Sequence, residues 1–408
     1  MIFLLSIFLA LLNIFFIGLF NKIVNQRNIR IILIPLSLTL VSIIKEFLLG
    51  GFPWNPSSII WVNNFYILKI IQFIGIYGFG IINHLLIALF LYGLFNKQKI
   101  ILLLCSLLIL VVYSLQFISF SKDRFYDKDG DSISILIIQP NIKESLVNIS
   151  TIKKLEIYEK QTKEALREHP NSDLIIWPEG ALNLDLNNKK ALLKRIGNLL
   201  SNNQNLILGA NALTDDKLYN RMYYINNKGD VEQSYDKQKL VLFGEYIPFD
   251  GYKISKFLDM GLSFSKGEEN NHINLNKNFI VSPMICFESI FDYSLINNHI
   301  CKTDFILQIS NDSWFGNYIG PSQHFKNSLL RSVEQKMILV RSTPSGISAV
   351  VNTDGQILDK INNNKKGYIN FDIFKSSNEQ ECKPFLNIAI ILILLMYMLG
   401  IFYDRIRR

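Results

Sequence analysis

Uncharged apolar runs are crowded into the two ends of this chain, and no other feature constrains its folding as much. Residues 1 to 20 carry no charged side chain, and a helix of about 20 residues crosses a hydrocarbon core of about 30 Å. Comparable runs extend from about Ile31 to Leu49, with Lys45 and Glu46 near its end, and from Ile74 to Phe95, Ile100 to Phe117 and Pro384 to Phe402. A backbone in lipid must satisfy its own hydrogen bonds, so each run is expected as a membrane-spanning helix. A cleaved signal peptide does not fit the first run. No basic segment precedes it, no small-x-small site closes it, and further apolar runs follow.

Lys and Arg in short loops set the orientation. Lys22, Arg27 and Arg30 lie between the first two runs, Lys97 and Lys99 between the third and fourth, and Arg405, Arg407 and Arg408 after the last. All three sets share the cytoplasmic side if Ile59 to Ile71, interrupted by Asn63, Asn64 and Lys69, lies along the interface. The expected organisation is then an N-terminal transmembrane region over residues 1–119, of about four spans plus that interfacial segment. A globular domain over 120–383 follows outside the cytoplasm, and a transmembrane helix with a basic cytoplasmic tail closes the chain over 384–408.

Between Ser121 and Lys383 the charge content is ordinary, and strand and helix patterns alternate. Strands are expected at Ile133 to Ile138, Leu174 to Trp177, Leu206 to Ala210, Met222 to Asn226, Phe279 to Cys286, Phe305 to Ser310, Ile347 to Asn352 and Tyr368 to Phe374. Ser150 is placed to cap a helix whose Ile152, Leu155, Tyr158 and Leu166 share one face. Leu192, Leu193, Ile196, Leu199 and Leu200 form a second stripe. This order of elements argues an α/β sandwich.

The formal charge of +8 is spread without a dense basic block, so no nucleic-acid partner is expected, whereas a basic balance suits an anionic lipid surface. Cys105, Cys286, Cys301 and Cys382 form no Cys-x-x-Cys pair, and the five histidines are scattered. Neither a disulfide framework nor a metal site is indicated, and no metal or other cofactor is expected. Whether Cys301 and Cys382 pair is left open.

Chemistry is concentrated in a few short motifs. The apolar run Val281 to Ile285 delivers Cys286 to a strand-to-helix turn, with Glu288 two residues on. A thiol raised there can share space with the backbone N–H groups that follow, as an acyl-enzyme mechanism requires. Alone, such a cysteine reads as a small buried hydrophobe. Glu179 stands at the tip of Leu-Ile-Ile-Trp-Pro, where a general base beside the thiol belongs, although a solvated strand-end glutamate has the same pattern. Lys237 follows an alternating strand and is placed either as a surface charge or to stabilise an oxyanion. Glu245, after Gly244, is placed to hold the Lys237 ammonium or simply to close a turn. Asn311 to Gly316 ends a strand with Trp314 and Phe315, for which substrate-site lining and loop packing are evenly matched.

In chain order Glu179, Lys237 and Cys286 resemble the Glu-Lys-Cys triad of the nitrilase, or carbon-nitrogen hydrolase, superfamily, which implies an α-β-β-α sandwich. Further motifs resemble the superfamily's membrane-embedded branch, the apolipoprotein N-acyltransferases. They are Gly51-Phe52-Pro53-Trp54 with the preceding Glu46, Phe243-Gly244-Glu245-Tyr246-Ile247-Pro248, Cys286-Phe287-Glu288, and Gly320-Pro321-Ser322-Gln323-His324-Phe325. The resemblance implies a bacterial inner-membrane enzyme with a phospholipid acyl donor, diacylated apolipoproteins as acceptors and a Cys286 thioester. It implies supporting roles for Glu245, Phe287 and Glu288, and places Trp314, Phe315 and His324 as possible substrate-site lining. The family carries further N-terminal spans, a tyrosine at the Phe287 position and a proline at Leu242. Two rival readings stand beside it. One is a membrane-anchored carbon-nitrogen hydrolase (amidase) in which water replaces the amine, and the other is a degenerate homologue that binds lipid or lipoprotein.

Overall fold

The computed structural model describes residues 2–23, 27–115, 131–142, 149–247, 263–268, 272–292, 303–316, 318–375 and 385–406. It divides into two compact units, one of residues 1–121 with 383–408 and one of residues 122–382.

The first unit is helical: α1 (Ile2–Ile23), α2 (Arg27–Ile44), α3 (Phe65–Phe95), α4 (Lys99–Leu115) and the last helix of the chain, α8 (Phe385–Ile406). By length and composition, α3 is the one helix among the described residues able to cross a membrane; the apolar stretches Ile7–Leu19, Pro35–Ile44, Lys99–Leu115 and Ile388–Leu399 are shorter. The sequence reading separated an interfacial segment ending at Ile71 from a span beginning at Ile74; helix geometry runs through that boundary and is interrupted just after it, at Gly75. The chain makes a 3₁₀ turn at Ser57–Trp61 and then a single α3 whose geometry breaks at Gly75, with φ 72° and ψ 173°. Glycine alone takes that conformation without a Cβ clash. Asn64 caps the helix by accepting from the Ile67 N–H at 3.2 Å, and its own amide donates to the Val112 carbonyl at 2.6 Å. Several other buried polar groups of the unit are paired, as low-polarity surroundings favour, although Asn83 Nδ2 has no partner among the described residues. Tyr77 donates to Glu46, Trp61 Nε1 to Asn83 Oδ1 at 3.2 Å, and Tyr397 to the Leu33 carbonyl at 2.9 Å.

The second unit is a helix–sheet–sheet–helix sandwich. Its first sheet contains β1 (Ser132–Gln139), β2 (Leu174–Ile176), β3 (Leu182–Asp185), β4 (Asn205–Thr214), β5 (Lys217–Ile225), β6 (Val231–Asp236) and β13 (Gly367–Phe374), in the order β13-β1-β2-β4-β5-β6 with β3 beside β4. The second contains β7 (Ile273–Asn274), β8 (Ile280–Ile285), β9 (Phe305–Ile309), β10 (Ile338–Ser342), β11 (Ser348–Val351) and β12 (Ile357–Ile361), in the order β12-β11-β10-β9-β8-β7. Strand β1 shows why the layers form. Its odd positions Ile133, Ile135 and Ile137 enter the core between the sheets, while Leu136 and Ile138 enter the core under the helices. Alternate side chains face opposite sides of a strand, so a run apolar at every position is buried on both.

The outer layer on the first sheet is α5 (Thr151–Glu168) and α6 (Lys190–Gly197), and α7 (Gly320–Gln335) packs against the second sheet through buried Leu329, Leu330 and Val333. Ser150 caps α5 as expected, accepting from the Lys153 N–H at 3.3 Å. Leu155 and Tyr158 are buried on that helix, but Ile152 in its first turn is 62% exposed and leaves the expected stripe.

Sequence patterning marks eight of the strands and the alternating run before Lys237; it misses β3, β7, β10 and β12. The first two are too short to show a period. Strand β10 follows α7 after a left-handed Lys336 and reads as a continuation of it, and β12 carries exposed Asp359 and Lys360.

Gly209 of β4 has no room for a side chain: an added Cβ would lie 2.6 Å from the Glu179 Cα and 2.9 Å from both the Pro178 carbonyl and Ile309 Cδ1. Two of those neighbours are backbone and cannot swing away. Gly209→Ala is therefore expected to destabilise the unit by about 1–3 kcal/mol, an overpacking cost, in denaturant unfolding of the purified protein. A variant as stable as the parent would show that the segment after β2 can shift away from β4.

Candidate active site

Strands β2, β8 and β9 run so that their carboxyl ends meet at one edge of the sandwich. Parallel pairing of Ile285 with Ile309 brings the residue after β8 beside the turn after β9. In the other sheet β6 runs in the same direction as β4, because each is antiparallel to β5 between them, so its exit lies at the corresponding edge.

Glu179 leaves β2 through Trp177-Pro178. Its Oε1 accepts from Asn220 Nδ2 at 2.7 Å, and its Oε2 accepts from the Asn311 backbone N–H at 2.7 Å. Lys237, just past β6, is 1% exposed. Its Nζ donates to Glu245 Oε1 at 2.8 Å and stands 3.5 Å from Glu179 Oε1. Glu245 is folded back by a tight turn in which Phe243 adopts φ 59°, and its Oε2 accepts from the Val241 N–H at 2.9 Å. Asn220 Nδ2 also reaches Glu245 Oε1, at 3.2 Å. One ammonium thus lies between two carboxylates, and a neutral amide bridges them. Burial alone would lower the Lys237 pKa, but Glu245, Glu179 and Cys286 outweigh it and hold the ammonium above the usual lysine range.

Cys286 opens a 3₁₀ turn, Cys286–Ile290, with φ 51°. That left-handed conformation costs a residue with a Cβ about 1–2 kcal/mol. The side chain is buried, 5% exposed. Burial pushes the thiol pKa up and the Glu179 charge adds to it, while Lys237 and a hydrogen bond with Ser310 offset this only in part. At rest Cys286 is therefore a thiol, which could act as a nucleophile only with a base, and Glu179 is the carboxylate whose charge acts on it most.

Glu288 is fully buried and engaged. Its Oε1 accepts from the Tyr235 hydroxyl at 2.9 Å and the N–H groups of Gln238 at 2.6 Å and Lys239 at 3.1 Å, and its Oε2 accepts from the Ile285 N–H at 2.6 Å. Burial raises its pKa against those donors. This carboxyl fastens the exit of β6 to the end of β8 and so sets Lys237 relative to Cys286. The Phe287 ring is turned inward, edge-on to Phe291 at 5.3 Å.

Of the three lining candidates, Trp314 is 72% exposed at the loop surface. Phe315 packs edge-on against His324 at 5.1 Å. His324 itself is fully buried and lines nothing accessible, which corrects the sequence reading. It lies behind Cys286, with Nε2 3.0 Å from the Cys286 carbonyl and Nδ1 2.9 Å from Asp312 Oδ1. Asn220 and Gln308 were not singled out from sequence. The one signal they carry is a polar side chain inside a strand that the fold buries. Cys105 and Cys286 are free thiols; Cys301 and Cys382 lie outside the described residues.

Because the raised pKa keeps Cys286 protonated near neutrality, alkylation of this thiol by iodoacetamide is expected to rise about tenfold per pH unit from about pH 6 to 9. Mass spectrometry of the Cys286 peptide measures it. A plateau below about pH 8 would mean that the thiolate already exists at rest.

Residues 137–379 match the carbon-nitrogen hydrolase family model, and residues 1–89 match the model of the apolipoprotein N-acyltransferase N-terminal domain. Among curated relatives, the apolipoprotein N-acyltransferase of Rickettsia prowazekii is 31% identical over 394 residues, covering 88% of this chain and 75% of the relative. That of Wigglesworthia glossinidia brevipalpis is 28% identical over 383 residues, 91% of this chain and 75% of the relative. That of Rhizobium rhizogenes is 28% identical over 356 residues, 83% of this chain and 67% of the relative. With a hydrolase-fold match over more than half its length and a relative this similar along most of both chains, the chain belongs to the apolipoprotein N-acyltransferase family of the nitrilase superfamily.

Proposed function

We propose that this chain moves an acyl group from a membrane phospholipid to the N-terminal amine of the S-diacylglyceryl cysteine of apolipoproteins, the last step of bacterial lipoprotein maturation. The observation that carries the proposal is the meeting of Glu179 and Lys237 at 3.5 Å beside the buried Cys286 thiol. In the first half-reaction Glu179 takes the thiol proton as sulfur attacks the ester carbonyl of the donor. Lys237 Nζ and the Phe287 N–H stabilise the oxyanion. Collapse breaks the ester C–O bond, and the departing lysophospholipid oxygen takes the proton from Glu179, leaving a Cys286 thioester. In the second half-reaction the acceptor amine attacks the thioester and passes a proton to Glu179. Collapse breaks the C–S bond, forms the amide and returns that proton to sulfur. Water must be kept from the thioester meanwhile, or the product is a free fatty acid.

A lipid location suits both substrates. Ile100, Leu103, Leu104, Leu107 and Leu110 of α4 are between 48% and 75% exposed, and so wide an apolar face is unfavourable in water. This supports a multi-pass protein of the bacterial cytoplasmic membrane, with α1 to α4 and α8 in the bilayer. The distribution of Lys and Arg in short loops supports a periplasmic position for the catalytic unit, read from sequence as residues 120–383.

Incubating the purified protein with phospholipid and a synthetic diacylated lipopeptide should add the mass of one acyl chain to the peptide amine, and Cys286→Ala should abolish the gain. Ammonia release from simple amides with an unchanged lipopeptide would instead establish the amidase reading. For orientation, a reporter fused after Arg408 is expected to behave as cytoplasmic, and an external signal would reverse the topology.

A further inference from the structure

The Cys286 carbonyl accepts three hydrogen bonds: from Ser289 Oγ at 3.1 Å, Gln308 Nε2 at 3.1 Å and His324 Nε2 at 3.0 Å. Three donors on one carbonyl, at a residue held at φ 51°, is more than burial requires. Two of them are themselves fixed by Arg341, which is fully buried. Arg341 Nε donates to Gln308 Oε1 at 3.0 Å, which forces the amide nitrogen of Gln308 toward Cys286. Arg341 Nη2 lies 3.1 Å from His324 Nδ1. The guanidinium is gripped in turn by Asp312, through Nη1 to Oδ2 at 3.0 Å and Nη2 to Oδ1 at 2.8 Å.

The hydrogen bond to the Cys286 carbonyl requires hydrogen on His324 Nε2, since a carbonyl oxygen only accepts, and that tautomer leaves Nδ1 to accept from Arg341 Nη2; Nε2 also lies 3.1 Å from Ser289 Oγ. Gly346 leaves room for the grip, since a Cβ there would lie 2.2 Å from Asp312 Oδ2.

A carbonyl and the following N–H point in opposite directions across a trans peptide, and the described chain has no cis bond. Drawing the Cys286 carbonyl toward Gln308 and His324 therefore turns the Phe287 N–H the other way. We infer that Arg341, acting through Gln308 and His324, aims the Phe287 N–H at the oxyanion, which makes these three residues positioning residues for acyl transfer. The inference rests on the acyl-enzyme reading above but not on its lipid substrates.

The test separates a step that forms an oxyanion from one that does not. Acylation of Cys286 by a p-nitrophenyl fatty ester passes through a tetrahedral oxyanion, whereas alkylation by iodoacetamide is displacement at a saturated carbon and does not. In the full-length protein, His324→Leu and Gln308→Leu should each lower the acylation rate by about 10²-fold, the usual loss when one oxyanion donor is misplaced. Alkylation should stay within a few-fold of the parent and KM should change little. His324→Gln, which restores a donor near the Nε2 position, should recover most of the acylation rate. Acylation at the parental rate in both leucine variants overturns the inference. So does a parallel fall of acylation and alkylation, the mark of a merely structural role, and so does a parent whose Cys286 is not acylated by the ester. Ester acylation that follows the expected pattern beside an unchanged lipopeptide would uphold this inference and overturn the lipid-transfer reading alone.

Discussion

A lysine ammonium that is 1% exposed sets the terms for the rest of the catalytic unit. A buried cation without partners would lose its proton or unfold the region around it. Lys237 keeps its charge because Glu245 contacts it directly and Glu179 stands just beyond. Two carboxylates so close repel, and Asn220 makes their company tolerable by donating to both. Glu179 thus stands 3.5 Å from the ammonium while Glu245 makes the contact at 2.8 Å, which in the proposed mechanism leaves Glu179 to serve the thiol.

The same logic recurs one layer deeper. Asp312 is wholly buried, and burial would raise its pKa, yet Arg341 and His324 hold it well below the usual carboxylate range. Two buried ionic clusters thus flank Cys286, one of Lys237, Glu179 and Glu245 and one of Asp312, Arg341 and His324. Ser310 joins them, since its hydroxyl donates to Asp312 Oδ1 at 3.0 Å and also hydrogen-bonds the thiol. Breaking either pair by removing one partner would strand a charge at a cost of about 3–5 kcal/mol. The strain of a left-handed cysteine is small beside that.

What the sequence revealed followed from how local each signal was. Glu179 and Cys286 end apolar strands, and the strand pattern alone put them at tips. Strand β1 was legible because four of its isoleucines face two cores. The partners of the charges were not legible. Asn220 lies in Leu-Tyr-Asn-Arg-Met, where nothing local distinguishes a buried amide from an exposed one. His324 sits in a helix of mixed polarity, and its burial depends on a sheet built from residues that are distant in sequence. The break in the first helical region was legible only roughly: polarity at Asn63, Asn64 and Lys69 suggested a boundary before Ile74, and the interruption falls at Gly75, whose unusual φ no composition reveals.

The pairing of β1 with β13, from Ser132 opposite Phe374 to Gln139 opposite Gly367, joins the first and last strands of the unit. During synthesis β1 must wait for more than two hundred further residues before that partner exists. An unsatisfied strand edge of Ser-Ile-Ser-Ile-Leu-Ile-Ile-Gln is a template for pairing with another chain. The unit therefore closes late and all at once, and the interval before closure is when a nascent chain of this topology is most exposed to aggregation.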